Sequence, residues 1–389
     1  MFSGCHKLES IDLSKFVTSN VQEMDLMFDR CSSLASLDLS KFDFKKVSKM
    51  GYMFTYCKTL KSINFGNIET PDLLEVAGLF HNCSELKSMD FSRFDFSQVK
   101  SFEALFLNCS NLETVNFGDN INTALLENMR QTFINCSKLL SVDLSKFDLR
   151  NLKSLHETFR ACHSLRNVNF GNSPTSSLET LQETFRECHS LKSVDLSTFD
   201  LTKVVNMDNI FFYTSGLESV NFGNSPTNSL EHMFQIFQGC TKIRSIDLSN
   251  FRTSKVQDMS YLFLDCQSLE YVDLTSFDTT NVNNMAFSFL NCWSLKSINI
   301  SNFDTSKVTH FQQMFFNCGG FKYLNLSHFT TPKVQNVNGM FQISQGLFYL
   351  DLYNYVFDPN ANIDYTNIFD GLDPYCIICI HDENTKNRI

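Results

Sequence analysis

The chain has 389 residues, 43% hydrophobic and 19% charged, with a formal net charge of −10. This is the composition of a folded chain, and its acidic balance argues against nucleic acid or an anionic membrane as partner, since both need a basic face. No apolar run approaches the roughly 18 residues that span a bilayer, so membrane insertion is not expected, and Met1 to Cys5 carry neither the basic nor the apolar segment of a signal peptide.

Forty Phe stand beside one Trp and six Pro, which means that one structural slot recurs many times. Aligned on a Phe followed three residues later by Cys and six later by Leu, the anchors fall at Phe2, Phe28, Phe54, Phe80, Phe106, Phe133, Phe159, Phe185, Phe211, Phe237, Phe263, Phe289, Phe315 and Phe341, every step being 26 residues except one of 27. Phe369 is a looser anchor 28 residues further on. Nearly gapless units of this length define a solenoid and leave no room for a linker or a second large domain.

At the N-terminus Met1-Phe2 aligns with Met27-Phe28, so the chain starts in mid-unit and reads as a fragment without an N-terminal cap. In the next unit Val21, Met24 and Phe28 are spaced i, i+3, i+7, which suits a short helix or a run of tight turns. Leu34, Leu37 and Leu39 then follow the L-x-x-L-x-L spacing, whose last two leucines alternate with polar neighbours as a short strand does. Neither arm can bury its apolar side alone, so neighbouring units must stack. The expected fold is an α/β repeat solenoid over residues 1–355, a right-handed superhelix with one curved parallel sheet of about 14 strands. At the far end Ser344 replaces Cys, Tyr355 replaces Phe, and residues 356–389 lose the register. They are expected to form a C-terminal cap.

The L-x-x-L-x-L spacing is the leucine-rich-repeat pattern. Wording such as Leu269-Glu-Tyr-Val-Asp-Leu-Thr-Ser-Phe-Asp-Thr-Thr-Asn-Val-Asn-Asn-Met and Phe303-Asp-Thr-Ser-Lys-Val-Thr-His-Phe-Gln-Gln-Met-Phe-Phe-Asn-Cys resembles the BspA-like leucine-rich repeats of bacterial and protist surface proteins. The resemblance covers residues 1 to 350. It implies an extracellular or cell-surface protein without enzymatic activity, used in adhesion or recognition, and transfers no catalytic residues.

Twelve of the 14 Cys occupy the Phe+3 slot, and Thr214 and Ser344 fill the two remaining units. The slot therefore takes a small side chain, and its thiols read as buried packing groups. Cys376 and Cys379 form a single CxxC near His381, fewer ligands than a zinc site uses; a disulfide or two buried thiols fits better. His163 and His189 follow equivalent Cys and should stack, but point away from those thiols, so no metal site is expected. Hydrolase, phosphate-loop and metalloprotease motifs are absent, so neither catalytic residues nor a cofactor is expected. The sequons at Asn82, Asn108, Asn135, Asn299 and Asn325 arise from the repeat wording itself.

Function in such solenoids sits on the exposed strand residues. The middle outward column alternates acid and amide from Asp38 to Asp247 and then places Asp273 beside Asp247. Interleaved amides separate like charges and donate hydrogen bonds, so the alternation is first a stability device. It also reveals a longer period of two units. The preceding column is small and polar until it turns to Tyr271, Tyr323 and Tyr349, with Tyr353 in the column beyond. These tyrosines are either a binding patch, for which their large rigid area suits them, or part of the cap. The candidate partner-binding residues are Tyr271, Tyr323, Tyr349, Tyr353, Asp247 and Asp273, and the expected ligand is protein or glycan rather than nucleic acid. The alternatives are a structural solenoid that self-assembles head to tail into filaments and an intracellular protein-interaction scaffold.

Overall fold

A computed structural model describes residues 1–356 and 361–387. They fall into two compact units, Met1–Asp200 and Leu201–Ile389, each a parallel β-solenoid.

In the first unit each coil contributes one three-residue strand: β1 (Ser36–Asp38), β2 (Ser62–Asn64), β3 (Ser88–Asp90), β4 (Thr114–Asn116), β5 (Ser141–Asp143), β6 (Asn167–Asn169) and β7 (Ser193–Asp195). The strands pair in twos, β1 with β2, β3 with β4 and β5 with β6. Residues at the same slot face each other, as Ser36 faces Ser62 and Asp38 faces Asn64. The second unit carries β8 (Ser219–Asn221), β9 (Ser245–Ile246), β10 (Tyr271–Asp273), β11 (Ser297–Asn299), β12 (Tyr323–Asn325), β13 (Tyr349–Asp351) and β14 (Ile377–Cys379), then one helical turn, α1 (Glu383–Lys386). Here β9, β10 and β11 form one sheet, and β12, β13 and β14 another. The expected continuous sheet is thus a succession of short ladders, which in the first unit break after each amide strand, at Asn64, Asn116 and Asn169.

The other arm is not helical, and α1 is the only helix among the described residues. The positions two before and two after each anchor Phe have positive φ: Leu26 at 56° and Arg30 at 58° around Phe28, Tyr52 at 54° and Tyr56 at 57° around Phe54. A left-handed residue at each position ends any helix before it completes a turn. Consecutive tight turns result, closed by bonds such as Met27 N–H to Met24 C=O and Cys31 N–H to Phe28 C=O. Met24, Leu26, Phe28 and Arg30 then donate their N–H groups to Lys49, Gly51, Met53 and Thr55 in the next coil, at 2.7–3.1 Å. This second ladder offsets the roughly 1–3 kcal/mol that a non-glycine left-handed residue costs. The α part of the expected α/β fold is replaced by turns for this reason.

The core is built in columns. Phe2, Phe28, Phe54, Phe80, Phe106, Phe133, Phe159 and Phe185 stack in the first unit with ring centroids 5.4–5.7 Å apart and interplanar angles of 12° or less. Phe211 to Phe369 stack in the second with centroids 5.4–6.0 Å apart and angles of 19° or less. Cys31 through Cys318 are buried, and only Cys5 of this column is exposed. Each buried thiol donates to the carbonyl of the Phe one coil back, as Cys57 does to Phe28 at 3.1 Å and Cys136 to Phe106 at 3.2 Å. Ser344 takes over the slot with the same bond to Phe315 at 2.8 Å. At another corner Thr18 Oγ1 accepts from the Asp43 N–H at 2.7 Å and donates to the Asp43 C=O. Thr123, Thr253 and Thr279 repeat this.

Residues 361–387, expected only to cover the end, continue the solenoid by a further coil. Asn336 bridges to Asp364, Phe369 stacks on Phe341 at 5.9 Å, and β14 pairs with β13. Asp382 caps α1 by accepting from the Thr385 N–H at 2.7 Å, and Thr385 is buried. Among the described residues the count of fourteen strands is met with a shifted membership, since residues 10–12 form no strand and Ile377–Cys379 do.

Candidate binding face

Along the outward face of the strands, the acid and amide column is tied to the backbone. Asp38 Oδ1 accepts from the Ser40 N–H at 2.9 Å and from the Asn64 amide at 3.1 Å. Asp90 repeats both bonds with Ser92 and Asn116. Two residues after Asn64 and Asn116 stand glycines of positive φ, Gly66 at 60° and Gly118 at 78°, whose absent Cβ would lie 2.9 Å from the Cα of Ser40 or Ser92. Asp-x-Ser and Asn-x-Gly coils therefore fit as pairs, which is the physical basis of the two-unit period.

The six candidate residues, all in the second unit, form two groups. Asp247, Tyr271 and Asp273 lie on β9 and β10 or directly after them. Backbone bonds from Ser249 and Thr275 hold the two carboxyls below the usual carboxylate range, while Asp273 pushes Asp247 the other way. With Arg252 they line a shallow cleft of about 420 Å³. Ser297 stands between Tyr271 and the remaining tyrosines. Tyr323 and Tyr349 face each other across β12 and β13, and Ile377 of β14 continues the row. Tyr323 is 74% exposed and Ile377 64%. Tyr353 is half exposed and stacks on His381 at 4.8 Å. Phe348, at the entry to β13, carries the Lys322 ammonium 4.8 Å above its ring.

Ile377, His381 and Phe348 are absent from the sequence-based set. The signal was the 28-residue step from Phe341 to Phe369: carried forward, it puts Ile377 opposite Tyr349 and His381 opposite Tyr353. Cys379 likewise stands in the acid and amide column, opposite Asp351.

Cys376 and Cys379, expected as a disulfide or two buried thiols, are free and half-buried, and the other chemical candidates have structural explanations. His163 and His189 stack at 4.9 Å and 5° on the surface while Cys162 and Cys188 point inward, and among the described residues no cluster of His, Cys, Asp and Glu could hold a metal ion. Three sequon asparagines form a ladder, Asn108 donating to Asn82 at 3.0 Å and Asn135 to Asn108 at 2.7 Å. Burial pushes the thiols of the Cys31 to Cys318 column up, Cys31 to about 11 and Cys57 to about 12. Among the described residues no helix is long and apolar enough to cross a membrane.

Stacked coils with one short strand each and the L-x-x-L-x-L wording define a leucine-rich-repeat solenoid. The chain belongs to the BspA-like leucine-rich-repeat family: the family model described as "Mycoplasma protein of unknown function, DUF285" matches it four times, over residues 1–84, 74–193, 179–294 and 266–374. No curated protein matches it. Solved structures similar to it include a leucine-rich repeat protein from Bacteroides ovatus, 18% identical with a TM-score of 0.42 over 95% of this chain and 93% of that one. Another is a leucine rich cell surface protein from Faecalibacterium prausnitzii, 16% identical with a TM-score of 0.37 over 71% and 75%. A third is the TLR13–ssRNA13 complex, 17% identical with a TM-score of 0.30 over 87% and 49%. A repeat fold of this family supports a role in protein interaction or recognition.

Proposed function

We propose that the chain is a non-enzymatic recognition module displayed at the cell surface for adhesion, binding a protein or glycan through the aromatic row of β12–β14. The observation that carries this reading is the exposure of Tyr323 at 74%. A ring so exposed covers no core, and residues 361–387 already close that end of the second unit. Tyr349, Ile377, Tyr353 and Phe348 complete an apolar surface of the sort that anchors partners. Asp247, Tyr271 and Asp273 form a separate acidic contact on the same unit. The TLR13 structure contains a single-stranded RNA, so a preference against nucleic acid rests here on the net charge of −10 rather than on the class of fold.

The test is the double variant Tyr323→Ser, Tyr349→Ser, screened against an extracellular-matrix protein panel and a glycan array. A recognition role predicts that the partner bound by the parent chain loses about 2 kcal/mol or more of affinity while hydrogen exchange over residues 320–355 is unchanged. Loss of protection there with affinity intact would assign the tyrosines to packing. Protease shaving of intact cells tests surface display, which predicts release of peptides from this chain.

A further inference from the structure

We propose that a cleft in the first unit, lined by His6, Arg30, Ser32, Tyr56 and Lys58, binds a sulfate or phosphate ester group on a small ligand. The cleft has a volume of about 350 Å³, at the small end of the roughly 300–1,000 Å³ typical of ligand sites, with room for the ester and the ring that carries it. Its lining holds two permanent cations and an imidazole and no carboxylate, in a chain whose net charge is −10. The positive residues are gathered by the repeat itself: Arg30 and Tyr56 share the left-handed slot two after the anchor, and His6, Ser32 and Lys58 share the slot four after it.

Arg30 is held in place for binding. Its guanidinium carbon lies 5.7 Å from the centre of the Tyr56 ring, and Tyr56 packs against His81 at 5.5 Å. The nearest carboxylate, Asp29, approaches Arg30 Nε at 3.8 Å and is itself bonded by the Ser3 hydroxyl, which leaves the terminal guanidinium nitrogens free for a planar, bidentate grip on an oxyanion. Among the described residues Lys58 and His6 have no ion-pair partner. The Ser32 hydroxyl makes only a 3.4 Å contact to the His6 carbonyl, so it can turn to donate to a ligand oxygen. This set offers charge and directed donors to the three or more oxygens of a sulfate or phosphate ester, and the lining itself holds no carboxylate.

The test is titration of the isotope-labelled full chain with glucosamine 6-sulfate, glucose 6-phosphate and glucose at constant ionic strength, read as amide chemical shifts. Saturable shifts at Arg30, Ser32, Tyr56 and Lys58 with at least one ester, and none with glucose, are the expected result, and the tighter ester identifies which source is preferred. The double variant Arg30→Asn, Lys58→Gln should weaken that binding at least tenfold, Asn being chosen because it tolerates the left-handed backbone. A charge-matched variant, Lys15→Gln, Lys41→Gln, should leave it unchanged. Absence of saturation with both esters, or equal weakening in the two double variants, overturns the proposal, the second outcome marking non-specific attraction to the surface. Either result is separable from the aromatic row of the second unit, whose residues take no part.

Discussion

Cys136 fills a slot of fixed size and donates a hydrogen bond to the Phe106 carbonyl 3.2 Å away, so its replacement tests packing and hydrogen bonding together. Cys136→Ala should cost about 1–2 kcal/mol, through the small cavity and the unpartnered carbonyl. Cys136→Ser should cost less, because Ser344 already makes the same bond in its own coil; urea unfolding of the two variants would check the order. Because burial raises these thiols, a thiol reagent should label Cys5 in the native protein and the Cys31 to Cys318 column only after denaturation. Glu157 tests a charge in the same way. Its carboxylate accepts from His156, Gln131 and Arg160 and is held at about 2, against burial that opposes ionisation. A depressed carboxyl stabilises the fold above its usual 4.5, and that stabilisation is lost as pH falls toward about 2. Glu157→Gln should therefore be less stable than the parent at neutral pH, with the gap in urea midpoint closing across that window. A gap independent of pH would show that shape rather than charge is what the site requires.

The elements are short, and their stability comes from what adjoins them. Gly66 shows this, since an added Cβ would meet the Ser40 backbone at 2.9 Å and φ is 60°. Gly66→Ala should cost about 1 kcal/mol from the backbone conformation alone and more from the contact. Hydrogen exchange should show the loss first in β1 and β2, where the two coils pair. The strand arm was legible from the sequence because its leucines alternate with exposed polar residues, and the Phe and Cys columns because each holds one residue type. The turn arm was not: i, i+3, i+7 spacing is common to a helix and to consecutive turns, and the residues that decide are mixed, since Asn82, Asn108, Asn135, Asn291 and Asn317 announce a left-handed backbone but Arg30 and Tyr56 in the same slot, and Leu26 and Tyr52 before the anchor, do not. The ladder to the next coil imposes that conformation, and such a bond leaves no mark on local composition. Ile377 and His381 were missed for another reason. The last coil is two residues longer than the common 26, and such a step moves every later residue out of its column.

In the molecule as a whole, each unit repeats one coil with two dialects. From Asp38 onward in the first unit the Asp-x-Ser coils, with Phe or Leu at the corner, alternate with Asn-x-Gly coils that carry Thr there: Phe44 and Phe96 interleave with Thr70 and Thr123. From Thr227 to Thr331 every coil carries Thr, through Thr253, Thr279 and Thr305. The aromatic row lies in this uniform stretch, and the cationic cleft in the alternating one. The pairing has a consequence for how such a chain lengthens over generations. A duplication or loss of one coil in the alternating region would splice like to like. Deleting residues 133–158 sets Asn116 against Asn169 and brings together two glycine turns shaped for serine neighbours. Deleting 133–184 sets Asn116 against Asp195 and keeps the grammar of the join. The longer deletion should thus melt higher than the shorter one, although it removes more of the core. If so, the heritable word in this part of the gene is the couplet, and recombination that respects it can copy or drop material without damage to the fold.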